Sequence, residues 1–217
     1  GGRGAHFPDG HFLGWTPGQS PRVTDEAPWQ IDPGADLVIE LHLTPTGKPE
    51  QVQPAVALYF TDRQPRLSPY MIRLGRQDLD IGPGDAAYRA EDRYTLPVDV
   101  QVLAVQPHAH SLATSVRGTA TLPDGTRRPL ITVPRWNPRW QDVYRYAAPV
   151  PLPKGTTIAV EYTFDNSGAN PRNPHVPPTR VTFGQSASAE MGDLWLQVTT
   201  ADAASRAALD RDYAPKM

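Results

Sequence analysis

Residues 98–110 read VDVQVLAVQPHAH, and the rest of the chain is best read outward from this stretch. Val98, Val100 and Val102 alternate with Asp99 and Gln101, the two-residue period of an extended strand, and β-branched residues suit a pleated surface. The expected strand runs from Val98 to Val105. Segments of the same character lie to either side, at Leu37 to Leu43 (LVIELHL), Ala55 to Thr61 (AVALYFT), Ser115 to Leu122, Thr157 to Phe164, Arg180 to Phe183 and Leu194 to Thr199. Each is short and bounded by turn residues, as strands are. Pro123-Asp124-Gly125 sets one φ and then supplies a permissive glycine, so a tight hairpin is expected between Thr119–Leu122 and Arg128–Ile131. The chain therefore reads as all-β.

Pro17-Gly18, Pro33-Gly34 and Pro83-Gly84 punctuate the first third, and strands recurring every 8–12 residues or so suggest β-sandwiches. The expected organisation is two β-sandwich (jelly-roll-like) domains with a boundary near Gly84. Residues 1–84 would form a first, incomplete domain and residues 85–200 a second. From Asp202 the pattern turns Ala-rich, so residues 201–217 are expected to be a short helical tail, capped by Asp202 or Ser205 and stopped at Pro215.

Composition narrows the function. With 17 glycines and 25 prolines in 217 residues and no repeat period, the chain is turn-rich but not collagen-like. The 21 Lys and Arg residues are offset by 23 Asp and Glu, and no four basic residues run together, which argues against nucleic acid as a partner. No apolar run approaches the roughly 18 residues that span a bilayer. The sequence starts Gly1-Gly2-Arg3, so any secretion signal or lipid anchor is expected outside it. The absence of Cys removes disulfides, zinc ribbons and thiol catalysis, and leaves six His, three Met and the carboxylates as metal donors.

Among those donors, His108 and His110 stand two apart on extended chain, where side chains share a face and two imidazoles can reach one ion. A lone HxH is as often a chance surface pair. A third donor would have to come from elsewhere, and Met191 is a candidate whose thioether selects copper, above all Cu(I), over zinc; a Met before a strand is more often core. His175, between prolines, reads as a solvated loop residue. Asp165-Asn166-Ser167 has the Asx-turn chemistry of a structured loop. Trp136, Trp140 and Tyr144, interleaved with Arg135, Arg139 and Arg145, read as sandwich core ahead of a cation–π binding face. Nucleophile pairs, phosphate loops and paired-carboxylate motifs are not recognisable.

Taken together, PHAH at 107–110, Trp136-Asn137 and Trp140-Gln141, LPKGT at 152–156, YTFDNSGANPRNP at 162–174 and FGQSASAEM at 183–191 resemble one family. It is the copper type II, ascorbate-dependent monooxygenases, the group of peptidylglycine α-hydroxylating and dopamine β-monooxygenases, and in particular their bacterial C-terminal domain. DLVIELHLTPTGKPE at 36–50 and AVALYF at 55–60 resemble the end of the family's N-terminal copper domain.

The resemblance implies that His108, His110 and Met191 hold the catalytic copper, where oxygen is activated and a substrate C–H bond attacked. His42 matches the last ligand of a second, electron-supplying copper. The other two ligands of that copper have no counterpart, since His6 and His11 do not match the adjacent His pair the family uses. Gln106 and Ala109 stand where bacterial relatives usually carry Met. Two readings follow from different classes: a copper protein that is not by itself a complete monooxygenase, and a non-catalytic structural or interaction subunit of an envelope or membrane-surface assembly that inherited the fold. An extracytoplasmic location, in the periplasm or cell envelope, and a redox partner are likewise implied only by the resemblance.

Overall fold

A strand-patterned segment becomes a strand only when a neighbour completes its backbone hydrogen bonds. The protein is described here by a computed structural model covering residues 31, 33–34, 36–39, 41, 43, 46–62 and 69–216. In chain order its elements are β1 (Tyr70–Gly75), β2 (Asp80–Ile81), β3 (Tyr88–Thr95), β4 (Val100–Ala109), β5 (Ala113–Thr121), β6 (Arg127–Val133), β7 (Tyr144–Leu152), β8 (Thr157–Phe164), β9 (Val181–Thr182), β10 (Gly192–Thr199) and α1 (Ala203–Tyr213), the last closed by a 3-10 turn at Ala214–Lys216. The fold is all-β with one short C-terminal helix, as the sequence predicts.

Two four-stranded antiparallel sheets, ordered β1-β10-β4-β7 and β3-β8-β5-β6, enclose the core, and β2 pairs with β9 in a small ribbon. Ile72, Leu74, Val105, Leu194 and Leu196 of the first sheet meet Val116, Ile158, Val160, Tyr162 and Phe164 of the second in one apolar cluster. Gly118 lets the sheets approach closely, since a Cβ there would lie 2.7 Å from Leu194 Cδ2. Burial of the alternating inner faces of two sheets against each other is the main stabilising term of a sandwich.

The hairpin forms as expected. Leu122 and Thr126 close it (2.9 Å), and Gly125 takes the left-handed φ of +84° that its position demands. In α1, the Asp202 side chain caps the helix by accepting the Ser205 N–H at 2.7 Å, and Tyr213 packs edge-on to Tyr94 and Tyr70, with ring centroids 5.1 and 6.1 Å away.

Besides the two-residue β2, three strands escaped the sequence reading. β3 (YRAEDRYT) is masked by its charges, and β7 (YRYAAPVPL) by Pro149 and Pro151, which it tolerates as an edge strand. β1 lies before residue 84, yet it pairs along its whole length with β10, so the first sheet draws a strand from upstream of the expected boundary. Strands are expected at 37–43 and 55–61, and the described residues of both segments are neither strand nor helix. They find no ladder neighbour among the described residues, and their apolar side chains remain exposed, Phe60 to 81% and Val38 to 66%.

Candidate metal centre

β4 and β10 are antiparallel neighbours in the middle of the first sheet, with Ala109 opposite Gly192 and His108 opposite Asp193. Val105 and Ala109 point into the core, so His108 and His110, out of phase with them, lie together on the sheet's other face. Their ring centroids are 5.3 Å apart with planes at 85°. The strand expected to stop at Val105 thus continues through the first His, because β10 keeps pairing with it.

The orientation of each imidazole is set by its inner nitrogen. His108 Nδ1 meets the carbonyl oxygen of the Gln141 side chain at 2.6 Å, and Gln141 is itself anchored by donating Nε2–H to Pro138 O at 2.8 Å. His110 Nδ1 meets Ala189 O at 2.9 Å. Both partners are acceptors, so both rings carry hydrogen on Nδ1; in the neutral form of each ring the lone pair is then on Nε2, which is the pattern found behind metal-bound histidines. Trp136, buried in the core, donates its indole N–H to His110 O at 3.1 Å.

Met191 stands one residue before β10, in the position facing His110 just past the last ladder pair. Two chain segments far apart in sequence are thereby brought side by side. Beneath them lies Glu190, fully buried. Its carboxylate accepts the backbone N–H of His110 (2.5 Å), Met191 (2.9 Å) and Leu112 (2.8 Å). Burial pushes this carboxyl above its ordinary range, while the same N–H donors and the His110 ring pull it back. Asp193, also buried, is raised by desolvation and opposed by Arg73, whose Nη2 sits 3.0 Å away. Tyr162 ties the second sheet to this place: its hydroxyl donates to Asp193 O (2.7 Å) and accepts the His108 N–H (3.1 Å).

Among the described residues, no three His, Asp or Glu side chains cluster in a way that could hold a metal. A metal at His108 and His110 would therefore take a third donor of another kind, and Met191, whose backbone N–H shares Glu190 Oε1 with that of His110, is the residue the resemblance offers. His42, His6 and His11 lie outside the described residues. His175 belongs to an exposed loop, its Nε2 3.1 Å from Ser188 O. Asn166 is a structural hub, donating Nδ2–H to Ile81 O, Gly82 O and Thr179 O, which fits the loop reading of its sequence. Of the aromatic run, Trp136 joins the core whereas Trp140 is exposed. Sequence reasoning missed Glu190, Tyr162 and Asp193. The one available signal was the adjacency of Glu190 to Met191.

No protein-family model and no curated protein matches the sequence. Among solved structures the chain is similar to the VP2 subviral particle of infectious bursal disease virus (14% identity over 72% of this chain and 39% of that chain, TM-score 0.33). It is also similar to a structure of the Gx strain of that virus (12% identity over 68% of this chain and 37% of that chain, TM-score 0.32). The chain thus spans well under half of these proteins.

Proposed function

We propose that this chain is an extracytoplasmic β-sandwich of the copper-monooxygenase type carrying one mononuclear copper site at His108, His110 and Met191. The observation that carries the reading is the pair of side-by-side imidazoles with both inner nitrogens engaged, next to a segment whose Met191 backbone shares Glu190 Oε1 with that of His110. Two imidazoles and a thioether suit copper, especially Cu(I), far better than zinc, calcium or magnesium. When bound, copper supplies one-electron redox chemistry toward oxygen and a C–H bond. The chain's own part is to hold the donors: Gln141 and Ala189 O orient the rings, and Tyr162 fixes the His108 backbone against the second sheet.

Hydroxylation would also need the second copper implied by the resemblance, of which only His42 is matched. The chain alone is therefore read as an incomplete monooxygenase. A second reading, a non-catalytic interaction subunit of an envelope or membrane-surface assembly, is favoured by the exposed apolar side chains of residues 37–60, whose strand pattern finds no ladder neighbour among the described residues.

Copper titration of the 217-residue chain tests the first reading. One Cu(I) should bind in preference to Zn(II), His108→Ala should abolish stoichiometric uptake, and Met191→Ala should weaken binding chiefly in the reduced state. Equal uptake by the wild type and a His108→Ala, His110→Ala double variant would discard the site.

A further inference from the structure

We propose that Glu190 is the positioning residue of this centre, a buried carboxylate that sets the spacing of its donors before any ion arrives; the proposal rests on reading His108, His110 and Met191 as copper ligands. The β4–β10 ladder ends at the pair Ala109 and Gly192, so the N–H groups of His110 and Met191 fall just beyond its last registered pair. One oxygen of Glu190 accepts both of them, at 2.5 and 2.9 Å. The other oxygen takes the Leu112 N–H at 2.8 Å and so fixes the plane of the carboxylate. A single buried group thus fastens the backbone of His110, just past β4, to the backbone of Met191, just before β10.

A fold that needed only to satisfy these N–H groups could do so without burying a charge, which is costly unless every lone pair is used. A glutamine would serve poorly here. Its one oxygen could keep two of the donors, but its amide would then face the Leu112 N–H, donor against donor. Only a carboxylate meets all three. The same choice puts a negative charge next to His110 and Met191, where it favours a bound cation and favours Cu(II) over Cu(I).

The test compares the wild type with Glu190→Gln and Glu190→Asp in the 217-residue chain. Cu(I) affinity is measured by competition with bathocuproine disulfonate, and the Cu(II)/Cu(I) midpoint potential by redox titration. Loss of a residue that orients metal ligands typically weakens binding about 10- to 100-fold, and that range is expected for Glu190→Gln. Cu(II) should suffer more than Cu(I), so the potential should rise, by about 59 mV for each tenfold difference between the two losses. Glu190→Asp keeps the charge but cannot span all three N–H groups, so it should bind copper more weakly while retaining most of the wild-type potential. Wild-type affinity and potential in Glu190→Gln would overturn the proposal and leave the copper site standing. Loss of native near-UV circular dichroism in both variants would assign Glu190 to folding alone and overturn it too. Absence of copper binding by the wild type would remove the ligand reading, and this inference with it.

Discussion

Replacing Tyr162 with Phe removes one oxygen from the core and strands two backbone groups. The hydroxyl donates to Asp193 O at 2.7 Å and accepts the His108 N–H at 3.1 Å, at a residue only 1% exposed. The ring itself would stay, stacked on Phe164 at 5.8 Å and edge-on to Trp136 at 6.4 Å, so packing is conserved and the change isolates the hydrogen bonds. Leaving a buried donor or acceptor unpaired costs about 1–3 kcal/mol, which for these two groups amounts to roughly 2–4 kcal/mol after allowing for partial relaxation. In a chain of this size each kcal/mol lowers the melting temperature by about 2–4 °C, so a fall of about 5–15 °C is expected. Thermal melts of the metal-free protein followed by near-UV circular dichroism would measure it. Burial holds the phenol well above its usual range, so the fall should be the same at pH 6 and pH 9. A melting temperature within about 1 °C of the wild type would refute the idea that this hydroxyl joins the two sheets at the candidate site.

Gly75→Ala should be among the costliest single-methyl changes in the chain, because the new Cβ would lie 2.1 Å from Asp193 Oδ1 and 2.8 Å from Gly192 O. Overpacking of this kind costs about 1–3 kcal/mol, and urea unfolding that shows no loss would mean that the β1–β10 register is wrong. Asp202→Ala should loosen α1 in a pH-dependent way. Hydrogen bonding to Ser205 holds the folded-state pKa of Asp202 below that of an ordinary aspartate, so its contribution is present above the ordinary value and disappears as pH falls through the lowered one. The two melting temperatures should differ at pH 6 and converge at the acid end, and a difference that persists there would contradict the capping role.

How much could be read beforehand depended on whether a residue's role was local. Gly125 and Asp202 act within four residues of themselves, and the hairpin and the helix start were both legible. The period-two pattern at Thr157–Phe164 gave β8 its bounds, since its inward residues are all apolar. The same pattern at 37–43 and 55–61 leads to no ladder among the described residues, because pairing depends on a neighbour that no local pattern reveals. β3 and β7 were hidden for the opposite reason, their long-range partners overriding charges and prolines that locally speak against a strand. At the candidate site, His108 and His110 announced themselves by spacing, and Met191 by resemblance. Glu190 and Tyr162 did not, because each matters only through backbone groups of residues distant in sequence.

The order β1-β10-β4-β7 has a consequence for how the protein is made. The strand that fills the middle of this sheet is the last to leave the ribosome. Until residues 192–199 emerge, β1 and β4 have no common neighbour, and both present open edges inside a nascent chain whose other sheet is already complete in sequence. During synthesis, therefore, that half-built sheet is vulnerable to pairing with other nascent chains or capture by chaperones. Insertion of β10 closes both edges at once, and only then do the backbones of His110 and Met191 meet at Glu190, so the candidate site is assembled by the same event that seals the sheet.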